Sequence, residues 1–222
     1  MKRILVLLTI LTLTSCHFKS SADYNAEAEK LEQAGKFSEA IPLLDKAIEK
    51  DPSNIYALIN RALDKAELED YKGSIEDYTK VIEIDSDNAL AFLNRGRNRI
   101  KLAEYEAAID DFEKAIETKG GEIIYIDKVE NPLIETGFEF DVAMEEIRLE
   151  RGFARYSIDS LGLAFEDFNF CIQQNYEKPY SLYVRGIIYI MYGKKSEGCL
   201  DLIEAQKLGY QEAQEKINEF CR

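Results

Sequence analysis

The stretch LEDYKGSIEDYTKVIEIDS, residues 68–86, aligns without a gap with the stretch LAEYEAAIDDFEKAIETKG, residues 102–120. In the second half of the later stretch, Ala108, Phe112 and Ala115 recur at positions i, i+4 and i+7. That spacing places the three side chains on one face of an α-helix. A matching pattern in the earlier stretch predicts that a helical unit is repeated along the chain.

Three further copies lie at residues 34–52, 158–176 and 192–210. The interval between the starts of successive copies is constant except between the third and the fourth, where an insertion lengthens it. A small residue recurs in the first half of each unit, where two helices can approach closely. These small residues are Ala28, Ala62, Gly96, Gly152 and Gly186.

At these residues the chain resembles the tetratricopeptide repeat (TPR) family. The unit of that family is a helix–turn–helix of about 34 residues, with a small residue in its first helix and Ala-x3-aromatic in its second. The resemblance implies an all-α fold, a right-handed α-solenoid of about five repeats. It places repeats 1–3 at residues 22–122, repeats 4–5 at residues 145–212 and a capping helix at residues 213–222.

The insertion, residues 123–144, reads IIYIDKVENPLIETGFEFDVAM. Its two β-branched and aromatic runs, residues 123–129 and 133–140, flank Glu130-Asn131-Pro132, which predicts a β-hairpin. Two roles stay open for it, a tolerated loop expansion or an element that docks a partner.

Arginine and aspartate recur together at a constant spacing, and both are missing from the first repeat. A bidentate ion pair between packed helices is one explanation, and a row of arginines that binds carboxylates is the other. The predicted structural pairs are Arg61 with Asp77, Arg95 with Asp111, Arg151 with Asp167 and Arg185 with Asp201.

The chain begins MKRILVLLTILTLTSC, in which two cations precede an apolar run of about ten residues. The run is shorter than the roughly 20 residues that span a bilayer, and it resembles a bacterial lipoprotein signal peptide at residues 1–15 with Cys16 as the lipidated residue. An ordinary signal peptide is the alternative. The lipoprotein resemblance implies a tether at residues 16–21 and a location in the cell envelope. In some bacteria an Asp directly after the lipidated Cys retains a lipoprotein in the inner membrane. This chain has His17 at that position, which favours the outer membrane.

Composition excludes several function classes. A formal net charge of −14 from 28 Lys+Arg and 42 Asp+Glu disfavours nucleic acid as a partner. The single histidine lies in the tether, so no catalytic triad and no metal site are expected, and neither is a cofactor. Among the cysteines, Cys199 and Cys221 lie on helices that should touch, so either a disulfide or two separate thiols is expected.

The concave groove of such a stack is lined by the first helices of successive repeats, and a polypeptide could bind there. Packing between adjacent repeats is the alternative role for the same side chains. The candidate groove residues are Tyr56, Ile59, Leu63, Leu93, Arg97, Lys101, Phe153, Tyr156 and Tyr183. The expected function is a non-enzymatic, lipid-anchored scaffold for a protein or peptide partner; an accessory subunit of a surface nutrient-uptake or glycan-binding system is the alternative.

Overall fold

The computed structural model describes residues 19–118, 122–123 and 140–221, and within them the chain forms eleven α-helices and one two-residue strand pair. The predicted all-α solenoid is confirmed. The helices are α1 (Ser21–Glu32), α2 (Phe37–Lys50), α3 (Ile55–Glu67), α4 (Tyr71–Ile84), α5 (Ala89–Lys101), α6 (Tyr105–Glu117), α7 (Met144–Ser157), α8 (Leu161–Gln174), α9 (Lys178–Met191), α10 (Lys195–Lys207) and α11 (Ala213–Phe220).

Two kinds of local signal divide the chain into these helices. Asn54, Asp70 and Asn88 each accept a hydrogen bond from the backbone N–H three residues later, which caps the start of a helix. The turn inside each helix pair places one residue in the left-handed region, and the position recurs along the stack. These residues are Gly35, Glu69, Ala103, Asp159 and Gly193. The same turn therefore connects the two helices of all five repeats.

Five helix pairs, α1/α2 to α9/α10, pack in sequence, and the second helix of each pair packs on the first helix of the next. In the third repeat the aromatic ring of the second helix lies directly against the small residue of the first, because a Cβ atom on Gly96 would stand 2.6 Å from the Phe112 ring. Phe112 and its equivalents Tyr78 and Phe168 are fully buried. The small residue thus makes room for the ring in the second, third and fourth repeats, whereas Leu44 and Leu202 occupy the ring position in the first and fifth.

The stack continues across the insertion, because α6 packs on α7 as α2 packs on α3. Strand β1 (Glu122–Ile123) pairs antiparallel with β2 (Phe140–Asp141), and Val142 is buried among the residues of the third and fourth repeats. This short pairing does not establish the predicted hairpin, whose residues 124–139 lie outside the described part of the chain. Met144, assigned to the insertion from sequence, is the first residue of α7.

Each of the four arginines predicted to form ion pairs contacts its aspartate. Nε and Nη2 donate to both carboxylate oxygens at 2.5 to 3.2 Å in Arg61–Asp77, Arg95–Asp111, Arg151–Asp167 and Arg185–Asp201. The aspartates are buried. Each pair joins the two helices of one repeat. The guanidinium groups are therefore already occupied and do not form a row of sites that could bind the carboxylates of a partner.

A second cation reaches the same aspartate in three repeats, and this was missed from sequence. It lies four residues after the arginine, one helical turn along the same face. The contacts are Lys65–Asp77 at 2.7 Å, Arg99–Asp111 at 2.7 Å and Arg155–Asp167 at 2.8 Å. Each of these buried aspartates is therefore shared by two cations of the first helix, and Asp77 also has Lys80 at 4.0 Å.

The stack ends in a covalent closure, since a disulfide joins Cys199 on α10 to Cys221 at the end of α11. Helix α11 buries Ala213 and packs on α10. Cys171 remains a free thiol in an apolar helix face, and burial raises the pKa of this thiol to about 12, so it stays protonated and unreactive.

Breaking the Cys199–Cys221 bond should loosen the cap and leave the rest of the stack unchanged. A bridge that closes a loop of 22 residues contributes about 3 kcal/mol through the unfolded state. The Cys199→Ser variant should therefore show fast amide hydrogen exchange in α11 and unaltered exchange in α3 to α6. Cys221→Ser, which breaks the same bond, should match it, and slow exchange of α11 in both variants would contradict the assigned role.

Candidate functional site

The first helices of successive repeats lie on the inner side of the stack. Helix α1 contacts α3 and α5 contacts α7, although each pair is separated by an intervening second helix. First helices that touch one another in this way form the concave face of a curved array. We call the exposed and half-buried residues of α1, α3, α5, α7 and α9 on this side the inner face.

A pocket of about 340 Å³ opens on the inner face where the third, fourth and fifth repeats meet. Its wall is formed mainly by apolar side chains, with charged groups at its edge. The lining residues are Arg97, Ile100 and Lys101 of α5, Leu149, Glu150 and Phe153 of α7, and Tyr180 of α9. The structure therefore brings together three of the residues predicted for the groove, which are Arg97, Lys101 and Phe153.

Arg97 is held by two carboxylates that sequence reasoning did not identify. Its Nη2 donates to Glu146 at 2.6 Å and its Nε donates to Glu150 at 2.9 Å. Both glutamates lie on α7, 49 and 53 residues further along the chain. Arg97 therefore fastens the third repeat to the fourth, and of the two cations predicted for the groove only Lys101 has no ion pair within the described residues.

Two residues predicted for the groove are wrongly placed there. Ile59 and Leu93 are 2% and 1% exposed and pack in the cores of the second and third repeats. A partner could not reach either side chain without unfolding the repeat. Leu63, by contrast, is 40% exposed on the last turns of α3, and Tyr56 is half-buried near the start of the same helix.

Aromatic side chains continue the inner face from the pocket to the end of the stack. Tyr183 packs on Tyr210 with ring centroids 4.8 Å apart, and Tyr180 packs on the same ring at 5.9 Å. Tyr156 is half-buried beside them. Burial raises the pKa of Tyr180 and of Tyr183, so their hydroxyls stay protonated and can donate a hydrogen bond to a partner.

Two carboxyl groups interact electrostatically where α1 and α3 pack together. Glu32 on α1 and Asp64 on α3 each have a buried oxygen that forms no hydrogen bond to the described residues. Burial and the neighbouring Asp64 carboxylate raise the pKa of Glu32 to about 7, and burial and Glu67 raise the pKa of Asp64 to about 6. Both groups therefore hold a proton more tightly in the folded chain than in the unfolded one.

Stability should consequently fall as pH rises from about 4.5, the unfolded value for Glu32, through about 7. Glu32→Gln removes the carboxylate that must be charged above this range. At pH 8 the variant should be more stable by about 1 kcal/mol, a figure reduced for the partial exposure of Glu32. Urea unfolding should show no gain at pH 4.

The matched control is Glu49→Gln, which changes an exposed glutamate on α2. Its effect should be near zero at both pH values. An equal gain for Glu32→Gln at pH 4 and pH 8 would show that titration of this group is not the cause.

Other kinds of site are not formed by the described residues. They contain no group of three or more His, Cys, Asp or Glu side chains placed to hold a metal ion. None of their helices has the length and apolar character needed to cross a bilayer. The proposed lipid attachment residue, Cys16, lies outside the described part of the chain.

Comparisons with known proteins agree with this geometry. The tetratricopeptide repeat model matches residues 56–88 and 89–120. MamA superposes with a TM-score of 0.69 at 20% identity, over 90% of this chain and 94% of MamA. YrrB, a TPR protein with an unusual peptide-binding site, superposes with a TM-score of 0.71 at 19% identity, over 89% of this chain and 92% of YrrB.

PilF of Pseudomonas aeruginosa gives a TM-score of 0.62 at 18% identity, over 85% of this chain and 76% of PilF. No curated protein sequence matches the chain. The second and third helix pairs match the family by sequence and the stack matches it by structure. The chain therefore contains tetratricopeptide repeats and has the fold of a tetratricopeptide repeat solenoid.

Proposed function

We propose that the chain is a lipid-anchored, non-enzymatic scaffold of the bacterial cell envelope that binds a polypeptide along its inner face. The observation that carries the proposal is the pocket between α5, α7 and α9, with a tyrosine-rich surface beside it. Aromatic side chains offer a large contact area at a small entropic cost, and they are enriched where proteins bind one another. YrrB, which shares the fold, has a peptide-binding site.

The anchor part of the proposal rests on residues 1–16, where an apolar run ends at Cys16. With its strongly negative charge the body of the protein should not bind anionic lipid headgroups, so attachment would depend on the acyl chains. Cells fed an alkyne-tagged fatty acid should label the wild-type protein and recover it with the membranes. The Cys16→Ala variant should lose the label, and a labelled variant would refute the anchor.

The binding part is tested by a photo-crosslinking amino acid placed at Tyr156 on the inner face. The matched control carries it at Glu166, a position on the second helix of the same repeat. Crosslinking in intact cells should join a polypeptide to position 156 and not to position 166. Equal capture at both positions, or capture of glycans alone at position 156, would refute polypeptide binding on this face.

A further inference from the structure

A carboxyl group is buried in α3, the helix that packs on both helices of the first repeat. The residue is Asp64, which is 2% exposed. The residues at the equivalent position of the next three repeats are Asn98, Ala154 and Ile188, and all of them are buried and uncharged. The fold therefore places a neutral side chain at this position, and a negative charge there would be buried at a cost in free energy.

The third repeat shows how a polar side chain at this position is satisfied. There the Nδ2 atom of Asn98 donates to the Ser74 hydroxyl at 2.7 Å, and that hydroxyl donates to the carbonyl oxygen of Ala62 at 2.6 Å. The equivalent of Ser74 one repeat earlier is Ala40, which has no hydroxyl. Asp64 accordingly has a buried Oδ2 that forms no hydrogen bond to the described residues.

The charged groups around Asp64 are carboxylates. From α1, Glu32 contributes a second carboxyl with a buried oxygen that forms no hydrogen bond to the described residues, and Glu29 adds to the negative potential at Glu32. From α3 itself, Glu67 acts on Asp64. Burial and these carboxylates raise the pKa of Asp64 and of Glu32, and helices α2, α4 and α5 contribute no charged group to either shift within the described residues.

Ionisation of these carboxyls should weaken the contact between α3 and the first repeat. Lys65, the cation next to Asp64 in sequence, is bound to Asp77 at 2.7 Å. A buried carboxylate that has neither a hydrogen bond nor a cation is relieved when it reaches water, which here requires that α1 and α2 move away from α3. The next three repeats have no carboxyl at the equivalent position, so the effect should be confined to the first repeat.

We propose that Asp64 and Glu32 form a pH-sensitive latch between the first repeat and the rest of the stack. When both groups hold a proton, Asp64 takes the place that the neutral amide of Asn98 has in the third repeat, and α1 and α2 stay packed on α3. When both groups ionise, two negative charges repel at this contact without a cation to balance them, and the first repeat opens while the later repeats stay folded. The latch does not depend on what the inner face binds.

The test is hydrogen exchange of the full chain between pH 5 and pH 8, corrected for the pH dependence of intrinsic exchange. In the wild-type protein, protection of α1 and α2 should fall about tenfold or more over this range, as expected when one pKa is raised by at least one unit. Asp64→Asn should abolish most of this fall, because the amide stays neutral at both pH values. Adding Ala40→Ser to that variant supplies the hydroxyl that Ser74 supplies to Asn98, and should raise protection of the first repeat further.

The matched control is Glu49→Gln, at an exposed glutamate of the first repeat, which should keep the wild-type response. Unchanged protection of α1 and α2 between pH 5 and pH 8 in the wild-type protein would overturn the latch. An equal fall in Asp64→Asn and in the wild-type protein would overturn it as well. A fall of the same size in α9 and α10 would show that the whole stack, and not the first repeat, responds to pH.

Discussion

Replacing Asp111 by alanine should lower the free energy of unfolding by about 3–5 kcal/mol. Asp111 is 2% exposed and accepts from Arg95 at 2.7 Å and from Arg99 at 2.7 Å. Removing the carboxylate leaves two largely buried guanidinium groups without their counter-ion. This lowers the stability of the fold by more than the loss of the ionic attraction alone. Urea unfolding followed by circular dichroism measures the change.

Two aspartates give a graded control for this prediction. Asp110 is adjacent in sequence but more exposed and away from both guanidinium groups, so Asp110→Ala should change stability by less than about 0.5 kcal/mol. Asp201 pairs with Arg185 and has no second cation among the described residues, because Tyr189 stands where Arg99 stands in the third repeat. Asp201→Ala should therefore fall between the other two. Equal effects at positions 110 and 111 would contradict the structural role of the paired cations.

Substitution of Gly198 by alanine should destabilise the last repeat by about 3 kcal/mol. An added Cβ atom would stand 2.6 Å from the carbonyl oxygen of Gly186 and 2.6 Å from Cγ1 of Ile190. A backbone oxygen cannot move aside as the tip of a side chain can, so α9 and α10 must separate. The intrinsic preference of helices for alanine, about 1 kcal/mol, is too small to offset this.

Gly162 also lies on the second helix of a repeat, but an alanine at this position should stabilise the fold. The nearest atom to an added Cβ there is the Tyr192 hydroxyl at 3.8 Å, an ordinary contact. Gly162→Ala should therefore raise stability by about 0.5–1 kcal/mol through helix propensity. Thermal unfolding of both variants measures the difference in sign, and a stabilised Gly198→Ala variant would contradict the close approach of α9 and α10.

The architecture could be predicted from the sequence because a fixed repeat length indicates which residues of successive helices lie in equivalent positions and meet in the fold. Arginine and aspartate at a constant spacing meet in four successive repeats, so the contact between Arg95 and Asp111 could be predicted from the repeat pattern alone. The second cation was overlooked, although its signal was available. Lys65, Arg99 and Arg155 each follow an arginine by four residues, and that spacing keeps both cations on one helix face.

The inner face was harder to predict, because one helix of a solenoid has apolar residues facing both its neighbours and the concave side. Ile59 and Leu93 face neighbouring helices, whereas Phe153 faces the concave side. The helical period of the sequence does not distinguish these two orientations. The neutralisation of Arg97 depends on Glu146 and Glu150, which lie beyond the insertion. Sequence spacing cannot reveal a contact across a segment of irregular length.

The central claim, that the inner face holds a polypeptide, is tested most directly by hydrogen exchange of the full chain with and without the polypeptide captured from position 156. Binding in the pocket should slow exchange in α5, α7 and α9, with the largest change near Lys101, Phe153 and Tyr180. Protection confined to the second helices α4, α6 and α8, or no protection in any first helix, would contradict the account.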